Sequence, residues 1–141
     1  MPRYDFAVSL RLFHPTIDPE EITQVLSLTP ARMCQAGTPR QTRKGKPLEG
    51  VYRETFWYTK LVPEGERSST DELLEEFLSD LAEKLQPYSD FFARVRAEGG
   101  RVELFIGTFG DRNYGFEFPP QLLGALGTLG ISLTFDVYPG A

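Results

Sequence analysis

A chain of 141 residues, 40% hydrophobic and 13% aromatic, is long enough to bury a core without a disulfide or a structural metal. Its single cysteine excludes an internal disulfide and a sulfur-rich tetrahedral site, and its single histidine leaves no pair of ligands at metal-binding spacing. The formal net charge of −5 argues against a general affinity for nucleic acid, because a uniformly acidic surface repels phosphate.

In chain order, residues 4–13 alternate as a strand. Tyr4, Phe6, Val8, Leu10 and Leu12 share one face, with Asp5, Ser9 and Arg11 on the other. His14-Pro15 stops the run. A short helix follows, with Asp18 as N-cap, Pro19 at the first position and Glu21 completing a capping box; Ile22, Val25 and Leu26 form its apolar stripe. Five glycines and prolines between Gly37 and Gly50 then predict a long loop over 32–50, with a short strand around 32–35. Residues 51–62 are rich in β-branched and aromatic side chains and predict a second strand, whose mixed faces suit an edge or a groove. That mixed character leaves a homodimer open.

Ser69 or Thr70 is expected to cap the next helix, whose stripe is Leu73, Leu74, Phe77, Leu78, Leu81 and Leu85 and which Pro87 ends. A second short helix buries Phe91, Phe92 and Val95 and closes at Gly99-Gly100. Residues 101–109 return to strand, 116–118 suit a brief pairing, Pro119-Pro120 opens a helix ending at Gly130, and 131–138 form the last strand. The expectation is a single α+β domain over 1–141. Its mostly antiparallel sheet has four to five strands with helices on one face, and a ferredoxin-like variant is the suggested topology. The N-terminus has no basic start followed by an apolar run, and no stretch is long and apolar enough to cross a bilayer, so a cytoplasmic protein without membrane attachment is expected.

Chemistry is sparse. The carboxylates of the long helix (Glu72, Glu75, Glu76, Asp80 and Glu83) read as its solvated face, and no metal or cofactor is expected. Lys44-Gly45-Lys46 fails the phosphate-loop pattern, with Arg40 where a glycine is needed and Pro47 where Ser or Thr is needed. The distinctive feature is charge distribution. Between Glu21 and Glu49 there is no acid, while Arg32, Arg40, Arg43, Lys44 and Lys46 are all basic. With Tyr52, Trp57 and Tyr58 these cations could pair charge and stack rings. The plainer expectation is that they pair with the acids of the rest of the domain.

Several segments together resemble a family of small uncharacterised bacterial proteins, a domain of unknown function (DUF4279-like). They are 14–23, 36–40 with Gly45 and 48–50, the aromatic strand around Trp57, 99–104, 129–131 and 136–138. The resemblance implies a bacterial, cytosolic, single-domain protein and carries over no activity, cofactor or catalytic residue. The expected function is a non-enzymatic binding module, immunity-like in one form, for a protein partner or a small anionic ligand. The alternatives are nucleic-acid binding through the basic loop and its aromatics, and an enzyme using a Cys34–His14 dyad.

Overall fold

The computed structural model describes residues 2–140. Strand β1 (Asp5–His14) is the centre of the fold. Its even-numbered residues from Phe6 to His14 are buried and its odd-numbered ones only partly covered, as the alternation demands. Helix α1 (Pro19–Leu26) starts at Asp18, whose carboxylate accepts from the Glu20 N–H, and ends at Ser27 in the left-handed conformation. It buries Pro19, Ile22 and Leu26, while Val25 turns outward.

The segment expected as loop is not one. Strand β2 (Arg32–Cys34) joins the main sheet, while β3 (Pro39–Gln41) and β4 (Pro47–Val51) form a separate two-stranded hairpin. The strand expected over 51–62 is two elements, because the chain breaks at 52–54 between β4 and β5 (Thr55–Lys60). A short β6 (Arg67–Ser68) follows, then α2 (Leu74–Leu85), a 3-10 turn at Gln86–Tyr88, α3 (Ser89–Ala97), β7 (Arg101–Gly110), α4 (Pro120–Leu129) and β8 (Ile131–Pro139). Residues 116–118 join no strand; Phe116 and Phe118 instead stack on Phe135.

The six-stranded sheet runs β2-β5-β1-β7-β8, with β6 also paired to β1, and is antiparallel except for the β7–β8 pair. The order is not the suggested ferredoxin-like one: β7 and β8 are joined through α4 and lie side by side, with no strand between them. All four helices contribute to one apolar cluster on the face of Phe6, Val8, Leu10 and Leu12, so the opposite sheet face carries no helix.

Neither Ser69 nor Thr70 caps α2. Ser69 Oγ accepts from the Tyr4 N–H at 3.0 Å, and the buried Tyr4 hydroxyl accepts from the Leu74 N–H at 3.0 Å. A phenol from the residue just before the central strand thus satisfies a free donor at the helix start. Burial pushes the Tyr4 phenol above its ordinary pKa. Leu73, now in the cap position, is exposed.

Beside this junction Arg67 holds Glu64 through two hydrogen bonds of 2.9 Å and Glu72 through one of 2.7 Å. The guanidinium lowers the Glu64 carboxyl from 4.5 to about 2. A depressed carboxylate contributes stability above its unfolded value and loses it as pH falls through the folded one. The clamp is therefore intact above about pH 4.5 and lost towards pH 2. Glu64→Gln is expected to flatten the acid limb of urea-melt stability against pH in that window. Identical slopes in variant and parent would contradict this.

Candidate functional site

Strand parity decides which side chains share the helix-free face. From β2 come Arg32 and Cys34, from β5 Phe56, Tyr58 and Lys60, and from β1 Asp5, Ala7, Ser9, Arg11 and Phe13. β7 adds Arg101, Glu103, Phe105, Gly107 and Phe109, and β8 adds Ser132, Thr134, Asp136 and Tyr138. An aromatic and charged surface results, where a solvent face usually carries simple polar residues.

The rings are ordered by neighbouring cations. Arg101 Cζ lies 3.8 Å from the Phe13 ring centre, and Phe13, Phe56 and Tyr58 follow at 5.1 and 5.4 Å. Arg11 Cζ sits 3.6 Å from the Phe105 ring centre and 5.8 Å from that of Tyr58. These are cation–π separations. Arg11 Nε is buried and has no hydrogen-bond partner among the described residues. Its Nη1 is 3.9 Å from Glu103, too long for a good hydrogen bond. At the far end Phe109 and Tyr138 stack at 4.9 Å and 10°, and the Tyr138 hydroxyl donates to Asp136, which raises the phenol pKa.

Between these groups the sheet is bare. Ala7, Ser9 and Gly107 floor a trough of about 290 Å³, walled by Tyr58, Phe105, Phe109 and Tyr138, with Lys60 and Asp136 at its rim. A Cβ on Gly107 would come within 3.3 Å of the Phe109 ring, which would have to shift by a few tenths of an ångström.

The β3–β4 hairpin closes over the β2 end of this face. Arg43 Nη2 donates to the Tyr58 hydroxyl at 3.0 Å, and Arg32 Nη2 to the Gln41 carbonyl at 3.3 Å. Tyr52 fixes the hairpin by donating to the Gln41 carbonyl at 3.0 Å and accepting from its N–H at 3.2 Å. Hairpin and β2 enclose a second cavity of about 500 Å³, which Arg32, Cys34, Gln41, Arg43 and Tyr52 help to line. It adjoins the trough through Tyr58.

The sequence-expected residues therefore separate. Arg43, Tyr52 and Tyr58 meet at the hairpin–sheet junction. Arg40 lies on the hairpin's other flank, donating to the Glu49 carbonyl at 3.2 Å, and Lys44 and Lys46 are exposed at its tip. Trp57 is not in the site. Its neighbours in sequence face the trough, but Trp57 is wholly buried on the helix side, where Nε1 donates to Thr23 Oγ1 at 3.0 Å. The expectation that the five cations pair with acids also fails: none of Arg32, Arg40, Arg43, Lys44 and Lys46 makes an ion pair among the described residues. Sequence reasoning missed Arg11, Lys60, Phe105, Phe109 and Tyr138, whose one signal was their position opposite the apolar residues of their strands.

Parity also removes the Cys34–His14 dyad. Cys34 pairs with Phe56 on the open face, whereas His14 pairs with Thr55 on the buried one. Both imidazole nitrogens are engaged: Nδ1 accepts from the Thr16 and Ile17 N–H groups at 2.9 and 2.8 Å, and Nε2 lies 2.8 Å from Glu98. His14 and Arg94 hold the Glu98 carboxyl below its ordinary pKa. The histidine is a tie between the end of β1 and α3.

A family model described as Domain of unknown function (DUF4279) matches residues 3–140. No curated protein and no solved structure matches the chain.

Proposed function

From the premise that the chain belongs to the DUF4279 family, we propose that it is a non-enzymatic binding module that takes a small anionic, ring-bearing ligand on the open sheet face. One observation carries the reading: four cations surround Tyr58. Arg32 is its cross-strand neighbour on β2, Arg11 its neighbour on β1, Arg43 hydrogen-bonds its hydroxyl, and Lys60 lies two residues along β5. Arg32, Arg43 and Lys60 have no carboxylate within ion-pair distance among the described residues. Unneutralised arginines beside ring faces favour a planar group carrying a carboxylate or phosphate, gripped by paired N–H donors. A partner protein presenting an acidic segment would meet the same cluster. A bacterial, cytoplasmic setting belongs to the same proposal, and no helix among the described residues is long and apolar enough to cross a membrane.

Calorimetric titration with inorganic phosphate, citrate and a nucleoside monophosphate tests it. At least one probe is expected to bind, and Arg32→Ala with Arg43→Ala is expected to weaken binding by about 100-fold, two charge-assisted contacts being removed. Silence with all three probes, or equal affinity in parent and variant, would overturn the proposal. A second reading, single-stranded nucleic acid along the same face, rests on its six rings: Phe13, Phe56, Tyr58, Phe105, Phe109 and Tyr138. That reading requires oligonucleotide affinity that falls steeply with salt.

A further inference from the structure

Strand β8 ends the main sheet. It pairs with β7 over nine consecutive residues without a register shift, and no hydrogen bond reaches its outer edge among the described residues. Proteins usually blunt such an edge with lysines, a central proline, a bulge or brevity. β8 has none of these: it is nine residues long, contains no lysine or arginine, carries only Asp136 as a charge, and has its proline at the very end. The other edge is managed, since β2 is three residues long and lies against the hairpin. Val137, 57% exposed, and Leu123 on α4, 51% exposed, lie on the two elements nearest the open edge. Around Gly124 and Gly127 on the same helix an added Cβ would meet only open space.

The sequence of β8 is complementary to its own reverse. Laid antiparallel about Phe135, it places Ile131 opposite Pro139 and Leu133 opposite Val137 on the helix side, all apolar. On the open side Ser132 meets Tyr138 and Thr134 meets Asp136. The Ser132 hydroxyl can donate to Tyr138, whose own proton goes to Asp136, and the Thr134 hydroxyl would turn from Glu103 to donate to Asp136 of the other copy. No like charges face each other in this register. We infer that the partner of this edge is a second copy of the chain, joined β8 to β8 in a two-fold dimer with one sheet running through both copies.

Two-fold symmetry keeps the helices of both copies on one side and both open faces on the other. Asp136 and Tyr138 belong to the trough wall and to the seam at once, so the partner's Ser132 and Thr134 complete the rim of each trough. The interaction needs no ligand and stands whether or not the anion-binding reading does. The strand predicted over 51–62, whose mixed faces left a homodimer open, cannot supply this edge, because β5 lies between β2 and β1.

Sedimentation velocity on the full chain, at concentrations up to the order of 100 µM, is expected to show a dimer. Val137→Lys is expected to weaken it by at least about tenfold, with an unchanged circular dichroism spectrum, while Val137→Ile retains it. Thr134→Cys with Asp136→Cys in a Cys34→Ser background is expected to give a covalent dimer on mild oxidation. A monomer throughout that range would leave the edge to an extended peptide of another protein and overturn the inference. A dimer equally strong with Val137→Lys, and not trapped by the cysteine pair, would overturn it too.

Discussion

Trp57→Ala is expected to lower the free energy of unfolding by about 3–5 kcal/mol, the usual cost of emptying a large buried aromatic site. Trp57 is wholly buried, pairs with Leu12 across β1 and Met33 across β2, and holds α1 to the sheet through the Thr23 hydroxyl. Alanine would remove the ring and leave that hydroxyl without its donor. Against a total of about 5–15 kcal/mol for a typical domain, the loss is a large share of the stability. Urea melts followed by far-ultraviolet circular dichroism give the value, since the fluorophore itself is removed. Trp57→Phe keeps most of the volume and forfeits the hydrogen bond, for a cost of about 1–2 kcal/mol. A stable Trp57→Ala protein with impaired anion binding would return the indole to the site.

Gly100→Ala is expected to cost about 1–3 kcal/mol or more, because overpacking here has no soft neighbour to displace. A Cβ on Gly100 would lie 2.3 Å from the Phe13 carbonyl oxygen, 2.8 Å from Val95 Cγ1 and 2.9 Å from the Val95 carbonyl oxygen. Two of the three are backbone atoms, and Gly100 N–H donates to that Val95 carbonyl at 2.8 Å. The chain turns from α3 into β7 at this point against the end of β1, so none of the three elements can yield alone. Gly99 beside it serves a different need, a φ of 94° that other residues rarely adopt. The matched control is Gly124→Ala: open space surrounds it within α4, and alanine there is expected to be neutral or to stabilise by up to about 1 kcal/mol. Parallel urea melts of the two variants check the pair, and a Gly100→Ala protein as stable as its parent would contradict the packing argument.

What the sequence revealed follows the physics of burial. β1, α1, β7, α4 and β8 were legible because one face of each meets the core, which imposes a period of two or a helical stripe on the residues. The α+β class followed from those segments, while the family resemblance drew also on 36–40, 48–50 and the strand around Trp57, and the family match spans 3–140. β3 and β4 were not legible, because every residue in them is exposed and nothing selects an alternation. The break at 52–54 was hidden by strand-forming residues on both sides of it. Hairpin cations stood out through a charge count, which needs no fold. Arg11 and Lys60 did not, since a lone cation on a polar face is ordinary until the sheet order sets it beside Tyr58. Trp57 was misplaced for the converse reason: aromatic residues on both faces of β5 conceal which face is inside.

The central place of β1 also fixes the order in which the molecule can be made. β1 precedes every other strand of the sheet in the chain, yet its partners are β5, β6 and the whole of β7, and Asp5 is registered against Phe109. Until β7 has been made, the apolar face of Phe6, Val8, Leu10 and Leu12 has at most one flank of the sheet in place. Closing such distant pairs loses chain entropy before any contact rewards it, which slows folding relative to a domain built on local contacts. β8 docks only on a finished β7, so the free edge is the last part of the sheet to exist, and self-association through it waits for a completed monomer.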